Sequence, residues 1–195
     1  MKKWLLSAMI ASVLSTTAVW AESSTSASPI PAEKLANYRD TAAQFMGALK
    51  QELQAAVKEG GPVNGIAACS TKAKEVAQAQ SQTHGFQVGR TSLKLRNSNN
   101  QPDDWEKAVL EKFEARKAAG EDLAKMEYAE SVTMDGKPAV RYMKAISTAD
   151  MCLVCHGDAL APEVRAKLDE AYPQDQARDF KLGDLRGAFT FVDKR

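Results

Sequence analysis

The chain has 195 residues, with 26 Lys and Arg against 25 Asp and Glu for a formal net charge of +1, and 44% hydrophobic residues. This composition predicts one ordinary globular domain and excludes disorder over most of the length. Balanced charge removes the electrostatic case for nucleic acid or an anionic membrane surface as the main partner. Three cysteines are too few, and odd in number, to frame a disulfide scaffold.

Lys2 and Lys3 precede an apolar run from Trp4 to Val19 that closes on Val19-Trp20-Ala21, the pattern of a signal peptide over residues 1–21. The run falls short of the ~20 residues a spanning helix needs and is diluted by Ser7, Ser12, Ser15, Thr16 and Thr17. Cleavage after Ala21 removes two lysines and leaves 174 residues at a formal charge of −1. No cysteine follows the run closely enough to carry a lipid anchor. The expectation is therefore an exported periplasmic protein with no stable membrane insertion. Residues 22–32, rich in Ser, Thr, Ala and Pro, read as a flexible linker, and 33–195 as the domain.

From Glu33 to Lys58 apolar residues recur at threes and fours (Leu35, Tyr38, Ala42, Phe45, Leu49, Leu53, Val57), which predicts a long helix ended by Gly60-Gly61-Pro62. A second helix is expected from Val63 to Gln80, with Ile66, Cys69, Ala73 and Val76 on its inward face. His84-Gly85 leads into a strand around Phe86, Val88 and Arg90. Residues 103–117 read as a helix capped by Asp103 or Asp104. The runs Met126–Met134 and Ala139–Ile146, joined through Asp135-Gly136, carry a hairpin signal. A short helical turn bears Cys152 and Cys155, Pro162 opens another helix, and Gly187 to Val192 closes as a strand. Long helices followed by a small antiparallel sheet with inserted helices define an α+β domain.

Cys152-Leu153-Val154-Cys155-His156 is the C-x-x-C-H pattern of covalent c-type haem attachment. Two thiols at this spacing reach the two vinyl groups of one porphyrin, and the following histidine serves as proximal iron ligand. A chance match in a chain of this composition is on the order of 5 in 10,000, so the pattern counts as a signal. The competing readings are a redox disulfide and half of a zinc site. Zinc needs two further ligands, for which only Cys69 and His84 remain as Cys or His, and no thioredoxin-like parallel unit accompanies the pair. For the second axial position the residues leave Cys69, His84, Met126, Met143, Met151 or an open site. Methionine would give a high-potential carrier, an open site would suit gas or peroxide chemistry, and a thiolate would push electron density onto iron. Cys69 reads equally well as a ligand or as an inert core thiol, and His84 as an exposed loop residue.

Several blocks add a resemblance: Asn64-Gly65-Ile66-Ala67-Ala68-Cys69; Arg90 to Glu106 with its Arg96-Asn97, Asn99-Asn100, Pro102-Asp103 and Trp105-Glu106 elements; Arg141-Tyr142-Met143; the attachment motif with Gly157; Tyr172-Pro173; and Gly183 to Gly187. In this order the chain resembles the family of single-haem c-type cytochromes with a PAS-like haem domain, long known as a domain of unknown function. It departs from the family's more usual proline at Ser98. The resemblance implies one covalent haem c with His156 and Cys69 as axial iron ligands. Arg90, Arg96, Arg141 and Arg186 recur in the matching blocks and are candidates for haem-pocket or propionate contacts. The plainer reading is that Arg96, Asn97 and Asn99 fix a loop. The function implied is periplasmic electron transfer through a redox partner protein. The alternative is a haem-based redox or gas sensor acting through a partner, and a peroxidase-like enzyme ranks below both. Whether two copies pair as a homodimer stays open.

Overall fold

The computed structural model describes residues 29–195. The signal-peptide reading, and the linker up to residue 28, lie outside the described residues.

Helix α1 (Ala32–His84) is interrupted at Gly60 (φ −147°, ψ 25°) and Gly61 (φ 72°, ψ −173°), where the chain reverses. Its two limbs run antiparallel. His84 Nε2 lies 3.2 Å from Gln44 Oε1, and Asn64 Nδ2 donates to the Ala56 carbonyl at 3.0 Å. Gly65 lets the limbs approach, since a Cβ there would stand 2.8 Å from Val57. The two expected helices are thus present as a hairpin, the second reaching His84 before Gly85 caps it in the left-handed conformation.

The remaining elements are strand β1 (Gln87–Thr91), helix α2 (Asp104–Ala118), strands β2 (Glu127–Met134) and β3 (Lys137–Ser147), helices α3 (Asp150–His156) and α4 (Pro162–Ala171), and strand β4 (Leu185–Asp193). The strands form an antiparallel sheet in the order β1-β4-β3-β2. Asp135 (φ 53°) and Gly136 (φ 74°) both take positive φ, as a two-residue hairpin turn between twisted strands requires. Asp103 caps α2: its side chain accepts from the Glu106 amide at 2.8 Å while Glu106 accepts from the Asp103 amide.

Period-two alternation sends the two faces of the sheet into separate cores. Phe189 and Phe191 of β4, Val88 of β1 and Tyr142 of β3 pack with Phe86 against Tyr38, Ala42 and Phe45 of the first limb. On the other face Met143, Ala145 and Ala188 meet Val109, Leu110 and Phe113 of α2. A third cluster joins Ile66 of the second limb to Val164 and Leu168 of α4, with Cys155, Leu160 and Tyr172 around it. This is the expected α+β, PAS-like arrangement. Its third cluster brings the second limb beside α3 and α4.

Candidate haem site

Cys69 follows Ile66 by three residues, so it shares the limb face that packs on α4. Cys152 and Cys155 stand one turn apart on α3, and His156 is its last residue. Gly157 then lets the chain leave at once: its amide donates to the Leu153 carbonyl at 2.9 Å, and a Cβ would sit 2.7 Å from that oxygen. The departing strand of chain folds back along the helix end, with the Phe180 amide donating to the His156 carbonyl at 3.0 Å. All three thiols are half-buried and free.

That returning loop orients the histidine. His156 Nδ1 lies 2.8 Å from the Ala177 carbonyl, so Nδ1 carries the proton and Nε2 keeps its lone pair. Burial, assisted by Arg186 and Arg96, pushes the imidazolium pKa down to about 3 against the pull of the Ala177 carbonyl. The ring is therefore neutral, the form that ligates a metal. Asp175 holds the loop: its Oδ1 accepts from the Ala177 amide at 2.9 Å and from Arg96 Nε at 3.1 Å, and its Oδ2 from Arg178 Nε at 3.0 Å. Burial raises the Asp175 pKa, but the bonds from Arg96, the Ala177 amide and Arg178 outweigh it and hold the carboxyl below its ordinary value.

Arg90, Arg96 and Arg186 gather around these groups. Burial, then its neighbours Arg96 and Arg90, lowers Arg186 to about 10. Burial likewise lowers Arg90 against the opposing influence of Cys69 and Tyr172. Burial raises the Cys69 thiol, with Arg90, Arg96 and Arg186 opposing it. Arg96 is paired with Asp175, and its Nη2 also donates to the carbonyls of Cys155 at 2.6 Å and Ala177 at 3.0 Å. Among the described residues Arg186 donates to Ser92 Oγ at 3.1 Å and the Lys94 carbonyl at 3.4 Å, and its guanidinium lies over the Phe180 ring at 5.3 Å. Neither Arg90 nor Arg186 has a carboxylate partner among the described residues. A bulge explains how Arg186 arrives here. Ile146 pairs with Gly187 and Ser147 with Leu185, which leaves Arg186 as the extra residue and breaks the alternation that would send it toward α2.

Arg141 belongs elsewhere. It shares the α2 face of β3 with Met143 and Ala145, lies over Trp105 at 4.2 Å, and pairs with Asp103 at 2.8 Å and Glu106 at 3.4 Å. The block around Trp105 is thus a brace between α2 and the sheet, not part of the pocket. Met126 and Met143 are fully buried in the α2 core, Met151 sits exposed on α3 itself, and His84 contacts Gln44. Among the described residues no group of three His, Cys, Asp or Glu side chains converges as a metal-ion site, so the zinc reading finds no ligand set. Sequence reasoning missed Asp175 and the Ala177 carbonyl, since neither carries a motif and a backbone acceptor leaves no residue-type signal.

These residues fit a haem. A neutral imidazole with its far nitrogen fixed, a soft sulfur on the facing limb, two thiols one turn apart, and two guanidiniums lacking carboxylates match iron, vinyl groups and a pair of propionates. Arg96 Nη1 stands 3.4 Å from His156 Nε2, a contact that iron on that nitrogen would displace. The fold and this constellation define a class, and the chain belongs to the Tll0287-like family, whose model matches residues 11–192. Among solved structures it is similar to the cyanobacterial haem protein Tll0287, with 23% identity over 85% of this chain and 98% of that one, and a TM-score of 0.64. That likeness is one of fold. No curated protein matches the chain.

Proposed function

We propose that this protein is a periplasmic mono-haem c-type cytochrome that transfers electrons, with its haem bound through Cys152 and Cys155 and ligated by His156 and Cys69. The observation that carries the reading is the orientation of His156: Nδ1 is engaged by the Ala177 carbonyl at 2.8 Å directly after the C-x-x-C turn, leaving Nε2 as the donor. The fold shared with a haem protein supports it. The haem supplies reversible one-electron chemistry. The residues supply the rest: Cys152 and Cys155 hold it by thioether bonds, His156 gives a neutral nitrogen, and Cys69 gives a sulfur from the second limb. Arg90 and Arg186 offer two cations to two propionates, where charge-assisted bonds are strong. Export past the signal peptide matches this chemistry, because haem is joined to such motifs outside the cytoplasm.

The test is a pyridine haemochrome on protein purified from the periplasm and then denatured. Haem that stays with the chain, and is lost from Cys152→Ser/Cys155→Ser, supports covalent attachment. Stoichiometric zinc with no haem overturns it.

A further inference from the structure

Arg96 and His156 donate to the same oxygen. Arg96 Nη2 reaches the Ala177 carbonyl at 3.0 Å and His156 Nδ1 reaches it at 2.8 Å. Asp175, with its side chain 1% exposed, fixes both parties: it accepts from the Ala177 amide at 2.9 Å and pairs with Arg96 at 3.0 Å. A carbonyl oxygen has two lone pairs, and a cationic donor on one draws electron density away from the bond on the other. The hydrogen bond at the outer nitrogen of a metal-bound histidine in turn sets the basicity of the inner one.

We infer that Arg96 is a positioning residue that weakens the Nδ1–H···O bond of His156, making the histidine a poorer donor to iron and raising the midpoint potential. The inference rests on the reading of His156 as a haem ligand and needs only the Nη2 contacts, not the longer contact at Nε2. It differs from a loop clamp, which would alter stability alone, and from a bare positive charge near iron, which would act without touching the Nδ1 bond.

The experiment uses the haem-loaded protein with Arg96→Lys and Arg96→Gln, both read by potentiometric titration and by the Nδ1–H proton resonance. The resonance is recorded on ferrous protein under carbon monoxide, which is diamagnetic whether sulfur or carbon monoxide is the sixth ligand. Lysine keeps the charge but lacks the planar fork. Both variants are expected to move Nδ1–H downfield. In Arg96→Gln the ratio of reduced to oxidised protein at fixed solution potential should fall about tenfold, which is about 59 mV for one electron. A fall in potential with an unmoved Nδ1–H resonance overturns the inference in favour of charge alone, and no change in either overturns it in favour of a clamp. If those two variants do not fold, Arg96→Met serves, because it removes the donor from the Ala177 carbonyl while keeping much of the side-chain length. A downfield Nδ1–H supports the inference there, and an unmoved one overturns it. Wild-type protein without haem would instead sink the cytochrome reading.

Discussion

Arg90, Arg96, Arg141 and Arg186 differ in their partners. Arg141 is 8% exposed in its side chain and carries two carboxylates and an indole, so Arg141→Leu leaves the buried Glu106 without its cation, held by the Asp103 amide and the Thr190 hydroxyl alone. The expected loss is ~2 kcal/mol of stability, the scale for a buried polar group left without its partner, with the haem spectrum unchanged. Arg90 is the converse case, because its side chain has no carboxylate partner among the described residues and interacts electrostatically with Cys69, Tyr172 and Arg186. Arg90→Leu should leave thermal stability near wild type and perturb the haem absorption and potential. Cys69 makes the sharper claim. Cys69→Ala should abolish low-spin thiolate features in the oxidised spectrum, and Cys69→Met should raise the midpoint potential, as thioether ligation does. Unchanged spectra in the alanine variant would return Cys69 to the role of an inert core thiol.

Among the elements, β4 is the least tolerant at Gly187. Its φ is 152°, and a Cβ there would lie 2.3 Å from the Thr91 carbonyl oxygen on the neighbouring strand. Gly187→Ala combines backbone strain with overpacking against main chain, each worth roughly 1–3 kcal/mol. For a domain of this size a loss of about 3 kcal/mol lowers Tm by roughly 6–12 °C, readable by calorimetry. The same bulge marks where sequence patterning stops informing. The Asp135-Gly136 hairpin, the Asp103 cap and the Gly60-Gly61 break were legible because each depends on a residue type with a local conformational preference. Strict alternation would aim Arg186 at α2, and only the extra residue in the pairing turns it toward Arg90 and Arg96. The strand order was not legible either, since β1 and β4 are nearly a hundred residues apart and no local signal joins them. At the candidate site, C-x-x-C-H is what marked Cys152, Cys155 and His156 for the proposed haem. The Ala177 carbonyl and Asp175 were silent because their role comes from where the returning loop lies.

The molecule as a whole closes through buried carboxylates. Asp193, with its side chain 1% exposed, accepts from Tyr38 at 2.8 Å and pairs with Lys34 at 3.1 Å, tying the first limb of α1 to the end of β4. Burial raises its pKa, but bonds from Tyr38, the Arg195 amide, Lys34 and Arg195 bring the net value below the ordinary carboxyl range. Asp175 and Asp103 are depressed as well. A folded-state pKa below the unfolded one contributes stability that is fully present above the unfolded value, near 3.9, and is lost as pH falls through the folded value. These carboxylates therefore hold Tm level across neutral pH and lower it below about pH 4, on top of the earlier decline below about pH 6.5 that comes from keeping His156 neutral in the folded chain. Asp193→Asn should lower the neutral plateau and make the acid drop shallower. An acid limb identical to wild type would remove Asp193 from the cause.

The central claim is that one iron lies between His156 and Cys69. Electron paramagnetic resonance of the purified oxidised protein, recorded with its optical spectrum, reports that ligation directly. A single low-spin ferric signal with thiolate character, lost in Cys69→Ala, is the result this account predicts. A high-spin ferric signal in the wild-type protein, or a low-spin signal that survives in Cys69→Ala, would contradict it.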